Sequence, residues 1–180
     1  MFKLAAVLAL VASPVLATGL EIDVAGEANG TIKIDLFEDL APLHVTQITA
    51  IAAAGDYDGV VFHRVIEGFM AQTGDVQFGK GEDTSRAGMG GSDLPDIPAE
   101  FSETPFARGT VGMARSQSPN SANSQFFIMF APGDFLNGQY TVVGEVTEGM
   151  DIVDQIKLGT GANGAVIGAA DKMVALRVTE

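Results

Sequence analysis

The run FHRVIEGFMAQTGD, from Phe62 to Asp75, constrains the fold more than any other part of the chain. β-Branched and aromatic side chains dominate before Gly68, and large side chains alternate after it. This pattern is typical of a strand, a tight turn and a second strand. The predicted hairpin would place Arg64 and Gln72 on neighbouring strands.

Arg64 is chemically unusual because it lies among apolar side chains. A guanidinium stays charged at any working pH and presents its donors as a rigid fork, while the amide of Gln72 can both donate and accept. The pair is therefore suited to holding a peptide group, although neither residue is a nucleophile or a good general base. An isolated arginine is more often a surface residue with a buried stem, so the other sequence motifs have to decide whether Arg64 is functional.

The composition excludes several classes of protein. With 180 residues, of which 47% are hydrophobic and 18% charged, the chain is expected to form one domain with a packed core. The net charge is −13, and the ten basic residues are scattered, which argues against nucleic acid or an anionic membrane as a partner. There is no cysteine, so disulfides and thiolate catalysis are excluded.

The first seventeen residues have the features of a secretory signal: a lysine near the start, an apolar stretch from Leu4 to Leu16 and a small residue, Ala17, for cleavage. A membrane anchor is the alternative, but this stretch is interrupted by a proline and falls short of the roughly 20 apolar residues that cross a bilayer. We therefore predict a cleaved signal peptide at 1–17, a single domain at 18–180 and, in a Gram-negative cell, a periplasmic location.

Alternating apolar residues predict a hairpin of two strands, Leu20–Ala25 and Thr31–Phe37. Pro42 then begins a predicted helix of about thirteen residues, with Asp39 as its cap and Gly55 after its end. The remaining predicted elements are strands at 110–114, 125–130, 141–146 and 173–178, a short helix at 150–157 and a long surface loop at 76–98. Short strands with glycine-rich connections favour a closed antiparallel β-barrel.

Three sequence blocks together resemble the cyclophilin family of peptidyl-prolyl cis/trans isomerases. The first is the family pattern FHRxxxxFMxQxGD, which matches Phe62–Asp75; the others are GTVGMAR at Gly109–Arg115 with NSQFFI at Asn123–Ile128, and FLNGQYTVVGEV at Phe135–Val146. The resemblance extends from about Leu20 to the C-terminus. It implies a mainly β fold, a closed eight-stranded antiparallel barrel capped by two helices, with a site in a groove on the outer face.

The resemblance also implies a site. Arg64 would donate to the twisted X-Pro amide, and Gln72 would orient either Arg64 or the carbonyl before proline. The residues implied in substrate binding form a proline pocket with its edge, Phe69, Met70, Phe127, Phe135, Leu136 and Tyr140, together with Gln125 beside it and the main chain of Ala114 and Arg115. The alternation of strand side chains places Phe126 in the interior if Phe127 faces the groove.

Three positions differ from the best-known eukaryotic members. Phe135 stands where they have tryptophan, Tyr140 where they have histidine and Arg115 where they have asparagine. The first difference makes tight cyclosporin binding doubtful, since that binding uses the indole. Together these residues resemble the bacterial branch of the family.

Other chemistries have little support in the sequence. The only two histidines, His44 and His63, come without a nearby ligand set, so no metal and no cofactor are expected, and His63 is assigned a structural role. The first functional hypothesis is a monomeric isomerase that acts on proline-containing peptides and unfolded exported proteins. The alternative is a non-catalytic chaperone module that binds proline peptides in the same groove.

Overall fold

The computed structural model describes residues 18–180, so the predicted signal peptide at 1–17 lies outside the described residues. Within the described chain there are eight strands, two α-helices and two short 3-10 helices, at Asp134–Leu136 and Ala162–Gly164. The strands are β1 Gly19–Ala25, β2 Gly30–Leu36, β3 Arg64–Ile66, β4 Met70–Thr73, β5 Thr110–Met113, β6 Phe126–Met129, β7 Val142–Glu148 and β8 Lys172–Thr179, and the helices are α1 Pro42–Ala53 and α2 Met150–Val153. Across residues 18–180, no helix combines the length and apolar character needed to cross a membrane.

The strands form one curled antiparallel sheet in the order β3-β4-β6-β5-β7-β2-β1-β8. The predicted eight antiparallel strands with two helices are confirmed, but the closed barrel is wrong. β3 has only three residues, and the chain before it meets β8 through the isolated bridge between Val61 and Lys172. Because the sheet curls, most of its apolar side chains still enclose one core.

The two faces of the sheet carry separate apolar clusters. Phe126 belongs to the main core, where its ring lies edge-on to Tyr57 with the centroids 5.8 Å apart. Phe127 points to the other face and joins Met70 and Leu136 in a smaller cluster. The predicted directions of Phe126 and Phe127 are therefore confirmed, and the smaller cluster provides the apolar base of a groove on the outer face.

Helix α1 begins at Pro42 as predicted, but Asp39 is not its cap. Instead Glu100 reaches the helix from the loop between β4 and β5 and accepts hydrogen bonds from the backbone amides of Leu43 and His44 at 3.1 Å. Its carboxylate also contacts Nδ1 of buried His44 at 2.6 Å. Burial lowers the pKa of His44, and the hydrogen bond to Glu100 opposes this effect. The Glu100 carboxylate, although distant in sequence, accepts hydrogen bonds from N–H groups at the start of the helix that a local capping residue would otherwise satisfy.

The long loop from 76 to 98 contains no helix or strand, as predicted, but its first part is tightly anchored. Asp75, at the end of the first sequence block, is fully buried. One carboxylate oxygen accepts from the amides of Gln77 and Phe78 at 3.1 and 2.9 Å, and the other from Gly88 and Gly90 at 2.7 and 2.9 Å. This carboxylate therefore fixes where the glycines lie beside the groove.

Candidate active site

The β3-β4 hairpin places Arg64 directly opposite Gln72. Gly68 makes the turn with φ of 67°, a conformation that residues with a Cβ rarely adopt. Nη1 of Arg64 donates to Oε1 of Gln72 at 3.1 Å. The strand, turn and strand predicted from the sequence are confirmed, and so is the pairing of these two residues.

A chain of amides continues from Gln72 across the groove. Nε2 of Gln72 donates to Oε1 of Gln125 at 2.9 Å, and Nε2 of Gln125 donates to the carbonyl of Gly90 at 2.7 Å. Since Oε1 of Gln72 already accepts from Arg64, each amide has one orientation that satisfies both of its neighbours. The hydrogen-bond chain therefore links Arg64 to the anchored loop.

Asn163 holds the other side of the Arg64 guanidinium. Nε of Arg64 donates to the carbonyl of Asn163 at 3.0 Å, and Nη2 donates to its Oδ1 at 3.3 Å. Within residues 18–180, Asn163 is the single non-glycine residue with a positive φ, at 56°. Asn163 was not among the site residues predicted from the sequence, although the Asn163-Gly164 dipeptide is a turn signal that could have marked the position.

Burial lowers the pKa of Arg64, while Tyr140 opposes the shift. Arginine nevertheless remains charged throughout the working pH range. In the part of the chain that the structure describes, no carboxylate forms an ion pair with Arg64. The guanidinium is thus fixed in direction by neutral acceptors, and its positive charge remains available to a ligand.

An apolar pocket of about 260 Å³ lies beside Arg64. The ring of Phe127 forms its floor, stacked on Phe106 with centroids 5.7 Å apart and edge-on to Tyr140 at 5.9 Å. Phe135 is 69% exposed and stands at the rim, with its ring centroid 5.4 Å from that of Phe69. The lining consists of Arg64, Phe69, Met70, Gln72, Ala114, Arg115, Phe127, Phe135, Leu136 and Tyr140.

A second cavity of about 430 Å³ adjoins this pocket, and Gln72, Ala114 and Arg115 border both. Gln125 lines the second cavity, so the structure brings all eleven site residues named from the sequence to one continuous groove. The structure narrows which main-chain group of Ala114 can meet a peptide. Its amide donates to the carbonyl of Gln125 at 2.9 Å, so the main-chain carbonyl is the group left for a peptide.

His63 points away from Arg64 and packs beneath the anchored loop. A Cβ placed on Gly88 would lie only 3.0 Å from Cδ2 of the imidazole. Burial lowers the pKa of His63, and the charge of Asp75 opposes the shift. Among residues 18–180, no group of three or more histidine, aspartate and glutamate side chains is arranged to hold a metal ion.

Residues 20–178 match the family model described as cyclophilin type peptidyl-prolyl cis-trans isomerase. The chain belongs to the cyclophilin family. It is 62% identical over 149 residues to a probable peptidyl-prolyl cis-trans isomerase of Brucella suis, covering 81% of this chain and 76% of that protein. It is 38% identical over 145 residues to peptidyl-prolyl cis-trans isomerase B of Escherichia coli, covering 76% and 84%.

Solved structures agree with these sequence relationships. A Cryptosporidium parvum cyclophilin crystallised in the presence of the dipeptide Ala-Pro superposes with a TM-score of 0.75 at 25% identity, covering 90% of this chain and 99% of that one. The cyclophilin AquaCyp293 of Hirschia baltica gives a TM-score of 0.72 at 25% identity, covering 88% and 72%. This cyclophilin is therefore a peptidyl-prolyl cis-trans isomerase with the mainly β fold of its family.

Proposed function

We propose that this cyclophilin accelerates rotation of X-Pro bonds in exported proteins as they fold in the periplasm, with Arg64 as its catalytic residue. One observation carries the assignment of Arg64. Its guanidinium is held by Gln72 and Asn163 at the edge of an apolar pocket, and no carboxylate in the described chain forms an ion pair with it. A guanidinium in this position can donate hydrogen bonds to the group that the pocket binds.

The reaction breaks no covalent bond. The barrier to rotation arises from the partial double bond between the carbonyl carbon and the prolyl nitrogen, and the uncatalysed step takes tens of seconds or longer. As the amide twists, conjugation is lost and the prolyl nitrogen becomes pyramidal and basic. A donor aimed at this nitrogen stabilises the twisted form more than either planar isomer, which is the condition for a faster reaction.

Arg64 has the donors that this role requires. A guanidinium has five N–H groups, and three of them serve Asn163 and Gln72. The other two belong to Nη1 and Nη2, and Nη1 also lies 3.9 Å from Sδ of Met70, a weak acceptor that lines the pocket. We assign these two N–H groups to the prolyl nitrogen and the carbonyl that precedes it.

The other groove residues have binding or orienting roles in this proposal. Phe127, Met70 and Leu136 enclose the pyrrolidine ring, with Phe69, Phe135 and Tyr140 at the pocket walls. Gln72 fixes Arg64 and is itself fixed by Gln125. The carbonyl of Ala114 and the neighbouring backbone of Arg115 face the extended peptide. The relative crystallised with Ala-Pro supports proline peptides as the ligands of the groove.

A non-catalytic chaperone module could use the same pocket and the same peptide backbone contacts. Such a module gains little from a guanidinium held rigidly on two sides, because binding a planar amide does not require a donor aimed at its nitrogen. The fixed direction of Arg64 therefore favours catalysis. Variants of Arg64 distinguish the two functions by their separate effects on turnover and on peptide affinity.

The exported location can be tested by expressing the full chain in a Gram-negative host. We expect osmotic shock to release a protein whose intact mass corresponds to a first residue at Thr18. The matched control is Leu8→Arg, which places a charge in the apolar stretch of the proposed signal and should retain the uncleaved chain in the cytoplasm. Uncleaved wild-type protein in the cytoplasmic fraction would refute the periplasmic part of the proposal.

A further prediction concerns Asn163, which we propose as the residue that positions Arg64. Asn163→Gly keeps the carbonyl acceptor and the positive φ but removes Oδ1. We expect kcat to fall about fivefold with KM nearly unchanged, since one hydrogen bond of about 1 kcal/mol no longer fixes the donor. Asn163→Asp also offers an acceptor, but its carboxylate would pair with the guanidinium and take up the charge that the proposed mechanism uses, so kcat should stay low. A change confined to KM, or parent-like kcat in Asn163→Asp, would show that Asn163 does not position Arg64 through a neutral acceptor.

A further inference from the structure

Arg115 is the second arginine of the groove and borders both cavities. Its Nε and Nη2 donate to the carbonyl of Gln139 at 3.3 and 2.9 Å, and its Nη1 donates to the carbonyl of Ser116 at 2.9 Å. The guanidinium carbon also lies 4.4 Å from the centroid of the Tyr140 ring. The side chain is therefore held in one direction by groups that carry no charge.

Two arginines outside the groove are compensated by carboxylates. Arg108 forms a two-pronged ion pair with Asp154 at 2.8 and 2.7 Å, and Arg177 reaches Glu21 and Asp23 at 3.0 and 2.6 Å. Among residues 18–180, Arg115 takes part in no ion pair with a carboxylate. In a chain whose net charge is −13, the groove thus keeps a partly exposed source of positive potential.

The proposed binding mode determines which part of a peptide meets Arg115. The prolyl nitrogen lies next to Arg64 and Gln72, and the residues before proline are joined to this nitrogen. Gln72 also borders the second cavity. The chain that precedes proline therefore passes Gln72 and Ala114, where Arg115 faces the boundary between the two cavities.

We propose that Arg115 makes this isomerase prefer substrates with an acidic side chain at one of the two positions before proline. A carboxylate there meets a guanidinium whose orientation is already fixed, so little side-chain entropy is lost on pairing. Asp96 is the acidic residue among those that line the second cavity, and its Oδ1 accepts from Nδ2 of Asn123 at 3.1 Å. Because Asp96 does not line the proline pocket, the charge of Arg115 determines which substrate side chain is favoured at the boundary between the two cavities. The inference rests on the proposed peptide path.

The test compares peptides that differ only in charge. The probes are short Ala-based X-Pro peptides with Glu or Lys at the first or second position before proline, and a second pair with Glu or Lys directly after proline. Isomerisation is followed by NMR exchange with the protein that begins at Thr18. We expect kcat/KM for Glu over Lys to be about tenfold before proline, to fall towards one in about 0.5 M NaCl, and to be close to one after proline.

Arg115→Glu should reverse the ratio, Arg115→Gln should remove it, and Arg115→Lys should keep most of it. The ratio is the readout because any general loss of activity in a variant cancels from it. Equal rates for Glu and Lys peptides in the wild-type protein, or a preference found only after proline, would overturn the inference. If no peptide of any charge is turned over, the proposed catalytic groove itself is refuted, which is a distinguishable result.

Discussion

Replacing Arg64 with alanine is expected to lower kcat/KM by about 10²- to 10³-fold, because the variant loses the donor that stabilises the twisted amide. Affinity for a proline peptide should change by less than about threefold, since the apolar pocket supplies most of the binding and stays intact. The loss should therefore fall mainly on kcat. This separation follows from the proposed role of Arg64 in the transition state and would not follow from a role in anchoring the peptide.

The measurement is NMR exchange on a short X-Pro peptide, with the dissociation constant taken from peptide titration of the same samples. Arg64→Lys keeps the charge but has three donors in place of five and lacks the planar fork, so an intermediate rate is expected. Arg108→Ala is the matched control, because it removes an arginine that is paired with Asp154 outside the groove. Equal loss of turnover and affinity in Arg64→Ala would show that Arg64 only anchors the peptide, whereas binding without accelerated exchange in the parent protein would favour the peptide-binding module.

The part of the site that lies on one hairpin could be predicted from the sequence. Arg64 and Gln72 are separated by a glycine turn, so strand periodicity alone sets them opposite each other. The same alternation on β6 decided that Phe126 faces the core and Phe127 the groove. These relations are local, and local backbone geometry is what a sequence pattern records.

Contacts between segments that lie far apart in the sequence could not be predicted from local periodicity. Glu100 caps α1 from a loop more than fifty residues away, and Asn163 meets Arg64 across 99 positions of sequence. Neither partner has a spacing that local periodicity could reveal. The open edge between β3 and β8 also depends on a distant contact, because only the folded chain shows that Val61 and Lys172 form a single bridge. Sequence therefore predicted the strands and the groove face better than the groups that complete them.

Asp75→Ala is expected to have the largest effect on stability, lowering the free energy of unfolding by about 3 kcal/mol or more. The buried carboxylate accepts four backbone N–H groups, from Gln77, Phe78, Gly88 and Gly90. Without it, these amides are left to whatever water can reach them. Urea unfolding of the protein that begins at Thr18, followed by circular dichroism, measures the change.

Asp75→Asn tests the charge and the acceptor geometry together. The oxygen of asparagine can accept from the two backbone amides of one pair, but its NH₂ group then faces the N–H groups of the other pair. We therefore expect a loss of unfolding free energy similar to that of Asp75→Ala. Asp83→Ala is the control in the same loop. Its carboxylate is exposed and accepts from the amide of Ser85, which predicts a loss of about 0.5 kcal/mol. Equal losses in Asp75→Ala and Asp83→Ala would contradict the anchoring role.

Asp75→Ala should also affect Arg64, the proposed catalytic residue. Asp75 fixes Gly90, whose carbonyl holds Gln125, and Gln125 holds the Gln72 amide that orients Arg64. Well below the unfolding temperature, Asp75→Ala should therefore lower kcat severalfold and speed amide hydrogen exchange at Gly88 and Gly90. Faster exchange at these glycines with an unchanged kcat would show that Asp75 anchors the loop without affecting the hydrogen bonds that orient Arg64.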